Sequence, residues 1–102
     1  MTRVDPLVDN EPASSRSYRI GDVARYVGVS THALRAWERR YGTVEPHRTP
    51  GGSRLYDAAQ IDRLKTLKDL TDYGHSIGEV ARLSLVELKR LLAATLELAG
   101  SK

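Results

Sequence analysis

The sequence contains no cysteine, and this absence excludes several kinds of chemistry at once. Without thiols the chain can form no disulfide, no thiolate zinc site and no cysteine nucleophile. It also lacks any apolar run of about 18 residues, the length that a membrane-spanning helix needs. The N-terminal residues do not contain the apolar stretch of a secretory signal. We therefore expect a cytoplasmic protein that does not cross a membrane.

The residue patterns that enzymes and metal sites use are missing as well. His32, His47 and His75 are too far apart in sequence for the common metal-ligand spacings. Gly51 and Gly52 do not form a phosphate-binding loop, because no strand, GxxxxGK pattern and helix surround them. We find no nucleophile accompanied by a base, no paired carboxylates and no cofactor loop. The sequence thus predicts neither an enzyme nor a metal site, and no cofactor in this chain.

Positive charge is concentrated in the middle of the chain. The 102 residues carry a net charge of +3. Residues 16–56 contain eight arginines, no lysine and three acidic residues, whereas residues 57–102 contain as many acidic as basic groups. Arginine suits phosphates and guanine edges better than lysine does, because its planar guanidinium donates two parallel hydrogen bonds. Charge alone leaves two alternatives open, a nucleic-acid surface and a solubilising surface.

Length and patterning predict one domain that is mainly α-helical, with a short segment on either side. Residues 1–16 mix Pro, Ser, Asp and Asn without periodicity, and they are predicted to form a disordered arm. Residues 17–92 are predicted to form the domain, with four to five helices and one short β-hairpin. Residues 93–102 are predicted to contain the end of the last helix and a linker or tail.

Two short helices separated by a turn are predicted near the start of this domain, after a short strand or extended entry over residues 18–20. Apolar residues at helical spacing over residues 20–27 predict a first helix that ends at Gly28. Ser30 is a good N-cap for a second helix over residues 31–41. Two helices joined by such a turn are typical of a helix-turn-helix unit. The buried core face of the second helix is predicted to carry Leu34, Trp37 and Tyr41.

Residues 44–56 predict a β-hairpin with a glycine-rich tip. The sequence Thr-Pro-Gly-Gly at residues 49–52 is typical of a turn, because proline fixes one φ and glycine tolerates positive φ. Extended residues flank this turn on both sides. Arg48 and Arg54 stand on either side of the tip. A small hairpin of this kind is a wing, whose arginines can lie along phosphates or enter a minor groove.

Three further helices are predicted in the remainder of the chain. Asp57 is placed to cap the first of them. The S-x-x-E patterns that begin at Ser76 and Ser84 predict capping boxes for a short helix over residues 77–82 and a last helix over residues 85–99. The last helix is broadly apolar, which is consistent with packing on the preceding long helix or on a second copy. The buried side of that long helix is predicted to carry Ile61, Leu64, Leu67 and Leu70.

The second helix and the hairpin together resemble one known family. The string LRAWERRYG at residues 34–42 is followed by Pro46, by RTPGG at residues 48–52 and by RLY at residues 54–56. These residues closely resemble the MerR family of winged helix-turn-helix regulators. Within the family they look most like the branch that joins this domain to a cobalamin-binding light sensor, the carotenoid-synthesis repressors. The resemblance covers residues 18–92.

Two positions depart from the pattern of the family. Ala36 stands where many members have a tyrosine that touches the DNA backbone, and Ser53 stands where this branch often has histidine. No cobalamin domain follows within the 102 residues. We therefore expect either the DNA-binding part of a larger protein or a short stand-alone relative. By this resemblance cobalamin would belong to a downstream domain.

Residue chemistry and resemblance together predict sequence-specific binding of double-stranded DNA. The helix over residues 31–41 is expected in the major groove with Arg35 on a base edge, and the hairpin on the backbone or in the minor groove. Glu38 is predicted to orient Arg35 or to cap a backbone group rather than to accept a bond from cytosine. The predicted DNA-contacting residues are Ser30, Thr31, His32, Arg35, Arg39, Arg40, His47, Arg48, Thr49, Ser53 and Arg54.

The resemblance also implies the kind of partner. Members of the family bind inverted repeats as dimers, so we expect a transcriptional regulator at a palindromic operator. The isolated chain is expected to be a monomer that dimerises on DNA, and an antirepressor protein is a further expected partner. The alternative is an excisionase-like architectural module, which would bend DNA or bind a protein instead of regulating by signal.

Overall fold

Helices account for most of residues 16–100, the part of the chain that the computed structural model describes. The predicted mainly α-helical fold is confirmed, with five helices and a small antiparallel sheet in this range. The arm predicted over residues 1–16 lies, except for Arg16, outside the described residues. In chain order the elements are β1 (Tyr18–Arg19), α1 (Ile20–Val27), α2 (Thr31–Tyr41), β2 (His47–Arg48), β3 (Arg54–Tyr56), α3 (Ala58–Asp72), α4 (Ile77–Val80) and α5 (Leu85–Gly100).

A tight turn joins α1 and α2, as the sequence predicts. Gly28 has a φ of 91°, a left-handed conformation that glycine adopts without a steric penalty. Its N–H donates to the Ala24 carbonyl at 2.8 Å and so ends α1. Two residues later the Ser30 side chain accepts a hydrogen bond from the Ala33 N–H at 3.0 Å, which caps α2. The helix-turn-helix prediction is therefore confirmed.

The hairpin of β2 and β3 is confirmed, and it gains a third strand from the start of the domain. Strand β3 lies in the centre of the sheet, antiparallel to both neighbours, in the order β1-β3-β2. Tyr18 pairs with Tyr56, and Arg48 pairs with Arg54. Sequence patterning predicts extended residues at positions 18–20 but does not say which strand they pair with. This pairing fixes the base of the hairpin next to the start of α1.

The helix caps predicted in the second half of the chain are confirmed at two of three positions. Asp57 Oδ1 accepts from the Gln60 N–H at 2.9 Å, and Gln60 Oε1 accepts from the Asp57 N–H at 3.0 Å, so α3 begins with a capping box. Ser84 and Glu87 form the predicted reciprocal pair. The capping box predicted at Ser76 is wrong, because its side chain makes no cap bond. The Ser76 backbone carbonyl already accepts the Glu79 N–H at 3.1 Å.

Two hydrophobic clusters form the core, and one tryptophan contacts both. The first cluster joins α1, α2 and β3 to the N-terminal half of α3, and it contains Val23, Ala24, Val27, Leu34, Tyr56 and Leu64. The second joins α3, α4 and α5 through Leu67, Leu70, Val80 and Leu88. Trp37 is partly buried and packs against both clusters. The placement of Leu34 in the core is confirmed, since it is only 2% exposed.

Tyr41 is not a core residue, and that prediction is wrong. Its side chain is exposed, with 38% of the residue surface accessible. Tyr41 is the last residue of α2, where the helix has passed the edge of the first cluster. The ring lies over Gly78, where a Cβ atom would be 3.4 Å from Tyr41 Cε1. Helical spacing alone places Tyr41 on the apolar face but does not show that the core ends before it.

Arg63 connects three separate parts of the chain, a role that sequence patterning does not reveal. Its Nε donates to the Thr43 carbonyl at 2.6 Å, just after α2. Its two terminal nitrogens donate to the carbonyls of Leu83 and Ala81, each at 2.7 Å. Burial lowers the pKa of this guanidinium below its usual value. Arg63 thus links the segment that leads into the hairpin to the connection between α4 and α5.

Candidate nucleic-acid interface

The outward face of α2 is exposed and rich in cations. His32, Arg35, Arg39 and Arg40 are all exposed, and the helix is held to the core from its other side by Leu34 and the partly buried Trp37. Long cationic side chains on a helix that is fixed from behind can reach phosphates and base edges together. The face predicted to contact DNA is therefore accessible.

The first residues of α2 combine accessibility with a structural role. Ser30, one of the predicted contacts, uses its hydroxyl oxygen to cap the helix at Ala33. Its side chain therefore has an internal partner. Thr31 is half-buried in the first turn, and His32 is exposed beside it. Backbone N–H groups at the start of a helix attract anions, so this end of α2 suits a phosphate.

The tip of the hairpin is held in one conformation by its own hydrogen bonds. Thr49 and Ser53 face each other across the tip, with the Thr49 N–H donating to the Ser53 carbonyl at 3.0 Å. The Ser53 N–H donates back to Thr49 Oγ1 at 3.0 Å. The Gly52 N–H closes the turn on the Thr49 carbonyl at 2.8 Å, and Gly52 has a φ of 88°. This matches a three-residue loop with glycine at its left-handed position.

Glu38 links α2 to the hairpin. Its Oε1 accepts from Arg54 Nε at 2.6 Å, and its Oε2 lies 3.4 Å from a terminal nitrogen of Arg48. The prediction that Glu38 orients Arg35 or caps a backbone group is wrong, because its two carboxylate oxygens face guanidinium groups of the hairpin instead. Arg48 also donates to the Gly52 carbonyl at 3.2 Å. Both arginines predicted to contact DNA from the wing therefore have partners within the protein.

Tyr56 lies beneath this cluster of charges. The residue is 1% exposed, and no described residue offers a hydrogen-bond partner to its hydroxyl group. Burial raises its pKa, and the negative charge of Glu38 raises it further, while the nearby arginines act in the opposite direction. The net effect favours the neutral phenol over the phenolate.

A groove brings several predicted contacts together with the start of α1. It lies between α1, α2 and the hairpin tip, and its lining includes Arg19, Gly21, Arg35, Gly52 and Ser53. Arg19, for which the sequence leaves open a solvated side chain or a phosphate contact, lies directly before α1 and lines this groove. Arg35 and Ser53, which are distant in sequence, are thus neighbours on one surface.

His47 lies apart from the arginines at the tip. It is in β2, one residue before Arg48, and its Nε2 lies 3.6 Å from Asp57 Oδ2. Its side chain is largely exposed. Across residues 16–100 there is no group of three or more histidine and acidic side chains that could hold a metal ion. Over the same range, no helix is long and apolar enough to cross a membrane.

A helix-turn-helix with an exposed cationic helix and a hairpin beside it defines the class of winged helix-turn-helix proteins. The sequence pattern of the family described as "MerR HTH family regulatory protein" matches residues 18–93. The chain therefore belongs to the MerR family, and it contains the DNA-binding domain of a MerR-family transcriptional regulator.

Curated relatives agree with this assignment. The chain is 49% identical over 70 residues to the HTH-type transcriptional repressor CarH of Myxococcus xanthus, covering 69% of this chain and 23% of CarH. It is 44% identical over 66 residues to the HTH-type transcriptional regulator MlrA of Escherichia coli K12, covering 65% of this chain and 27% of MlrA. The chain thus spans about a quarter of the length of these relatives. These relatives favour a regulator over the excisionase-like alternative.

A solved structure shares the fold. HiNmlR, a MerR-family regulator lacking the sensor domain and bound to promoter DNA, matches with a TM-score of 0.53 and 23% sequence identity. The match covers 79% of this chain and 55% of that one. The winged helix-turn-helix arrangement predicted from the sequence is therefore confirmed as the fold.

Proposed function

We propose that this chain binds duplex DNA at a promoter operator, with α2 in the major groove and the hairpin of β2 and β3 on the backbone or in the minor groove. The observation that carries the proposal is the exposed side of α2, which presents Arg35, Arg39 and Arg40, with Arg35 beside the hairpin tip. A cationic helix fixed from behind by core residues fits the width of a major groove.

Within this interface the arginines have different roles. Arg35 contacts a base edge, because it lies near the middle of the exposed face and borders the groove shared with the hairpin. Arg39 and Arg40, one turn further along, hold phosphates. Arg48 and the exposed Ser53 approach the backbone from the hairpin. Arg54 acts mainly from within the protein, since its Nε is bonded to Glu38.

The protein acts by binding and not by catalysis, and its operator is palindromic. The named regulators among its relatives support the first statement. The statement about the operator rests on a dimer, for which α5 offers exposed apolar side chains such as Val86 and Leu96, exposed by 61% and 46%. A pair of chains related by a twofold axis would read two half-sites one helical turn apart. An antirepressor protein remains a prediction from the resemblance.

The test is selection of bound duplexes from a pool with a random central segment, followed by gel retardation with the selected duplex. We expect enrichment of an inverted repeat. Arg35→Ala should weaken binding of the selected duplex by about ten- to hundredfold, because one arginine–guanine pair contributes roughly 1–3 kcal/mol of discrimination. Circular dichroism should show an unchanged fold.

Amide chemical shifts provide a second measurement on the unaltered chain. Adding the selected duplex should perturb residues 30–54, and the shifts of α5 should change less. Enrichment of no sequence, or perturbation centred outside residues 30–54, would contradict the proposal. A variant Arg35→Ala that discriminates as well as the unaltered chain would contradict the role of α2.

A further inference from the structure

One carboxylate holds two arginines that differ in their surroundings. Glu38 is in α2, whereas Arg48 and Arg54 face each other across β2 and β3. The bond from Arg54 is 2.6 Å long and joins two side chains that are each about a fifth exposed, 22% and 21%. The contact with Arg48 is 3.4 Å long, and that arginine side chain is 49% exposed.

Because of this asymmetry, the two contacts should respond differently when an anion approaches. A short charge-assisted bond between partly buried groups is strong, because little water competes for either partner. A long contact to a half-exposed guanidinium is weak and is screened by salt. A phosphate that approaches Arg48 can therefore displace Glu38 there and leave the bond to Arg54 in place.

We propose that Glu38 is a positioning residue for DNA recognition: through Arg54 it fixes the hairpin against α2, and it releases Arg48 to a backbone phosphate when duplex DNA binds. The inference rests on the proposed function. The cross-strand pairing of Arg48 with Arg54 means that one carboxylate restrains both strands of the hairpin. Glu38 itself makes no contact with DNA in this arrangement.

The proposal makes an unusual prediction for Glu38→Gln. Removing a negative charge near phosphates should preserve or increase affinity for unrelated duplexes, because nonspecific binding is electrostatic. Affinity for the selected operator should fall, because the hairpin loses its fixed position. The ratio of the two affinities should decrease by about tenfold, within the usual range of coupling between contacting groups.

Glu45→Gln is the matched control. Glu45 is exposed on the loop before β2, and removing its charge changes the electrostatics without touching the bond to Arg54. Both variants are measured with the selected duplex and with a scrambled duplex of equal length and composition. Glu45→Gln should leave the ratio of affinities unchanged. An unchanged ratio of affinities in Glu38→Gln would overturn the proposal, even if both duplexes bound more weakly by the same factor.

Salt dependence separates the two arginines. Arg48→Gln should reduce the slope of log affinity against log salt by about 0.9, the value for one phosphate contact, whereas Arg54→Gln should keep the slope and lower the ratio of affinities. Equal slope changes in both variants would contradict the exchange at Arg48.

A measurement without DNA tests the link itself. The side-chain Nε–H resonance of Arg54 should shift in Glu38→Gln, and the amide order parameters of Gly51 and Gly52 should fall. If these signals do not change, the link has no positioning effect, whatever DNA is bound. A different result is that these signals change in Glu38→Gln but the unaltered chain selects no duplex. In that case the proposed function fails, and the link between α2 and the hairpin stands.

Discussion

The two halves of the described chain use their charged residues in opposite ways. Over residues 57–100 the lysines have acidic partners: Lys65 bonds to Asp69, Lys68 to Asp72 and Lys89 to Asp62. Over residues 16–56 there are eight arginines and three acidic residues, and Arg35, Arg39 and Arg40 are exposed on α2. Balanced charge accompanies the packing of helices on each other, whereas excess charge remains available to an anionic partner.

The largest effect on stability should come from Arg63, the arginine of the second half whose bonds are internal. Arg63→Ala removes donors from three carbonyls, those of Thr43, Ala81 and Leu83. Such losses leave acceptors without partners, so the free energy of unfolding should fall by about 3 kcal/mol. Urea denaturation measures this loss. The exposed Arg82→Ala should change stability by less than about 0.5 kcal/mol, and similar losses in both variants would contradict the role of Arg63.

Binding should distinguish the halves more clearly than stability does. The double variant Arg39→Gln, Arg40→Gln should lower affinity for the selected duplex by at least about tenfold and reduce its salt slope by about 1.8, two phosphate contacts. The matched double variant Lys65→Gln, Lys68→Gln removes the same charge from α3 and should leave the slope unchanged. Fluorescence anisotropy at several salt concentrations provides both values. Equal salt slopes for the two double variants would contradict the distinction between cations available to DNA in residues 16–56 and paired cations in residues 57–100.

Tyr56→Phe tests the buried hydroxyl group that lies under Glu38, Arg48 and Arg54. Because the buried hydroxyl group has no partner among the described residues, its removal should be neutral or should stabilise the fold by about 1 kcal/mol. The raised pKa of Tyr56 favours the neutral phenol in the folded state. The stability that comes from this pKa difference between folded and unfolded states is therefore fully present below the unfolded pKa of 10.0. It is lost as pH rises through the folded pKa of Tyr56. Denaturation between pH 9 and pH 11 should show a smaller decline in Tyr56→Phe than in the unaltered chain.

The smallest effects concern two serines with the same sequence pattern. Ser84→Ala should lower stability by about 1 kcal/mol, because its hydroxyl accepts the Glu87 N–H, whereas Ser76→Ala should cost less than about 0.3 kcal/mol. The bonds from Ser84 also hold the pKa of Glu87 below its usual value. That contribution is present above the unfolded pKa of 4.5 and is lost as pH falls. Thermal melts at pH 7 and pH 4 test both statements, and equal losses at pH 7 would contradict the comparison.

Local patterns in the sequence predict most of the fold. The turn at Gly28, the cap at Asp57 and the tip at residues 49–52 each depend on residues close together in the chain, and each is confirmed. Helical periodicity also places Leu34 correctly in the core. The exposed arginine face of α2 follows from the same periodicity, so the location of the candidate site could be predicted.

Contacts between distant residues could not be predicted in this way. The bonds of Glu38 to the hairpin and of Arg63 to three carbonyls depend on how elements pack, and many partners are compatible with the same sequence. Tyr41 illustrates a related difficulty, because periodicity gives a direction around the helix but not the point where neighbouring elements end. The S-x-x-E pattern at Ser76 did not produce a capping box, because the Glu79 N–H donates to the Ser76 backbone carbonyl and not to its side chain.

Trp37 is the only tryptophan in the chain, and it lies where the two hydrophobic clusters meet. A single indole that packs against both clusters connects α2 and the first cluster to the helices of the second, so we expect the loss of one cluster to disturb the packing of the other. Thermal unfolding should accordingly be one cooperative event. The same ring supplies an intrinsic optical reporter at this junction, and its emission should follow the backbone signal through the whole transition.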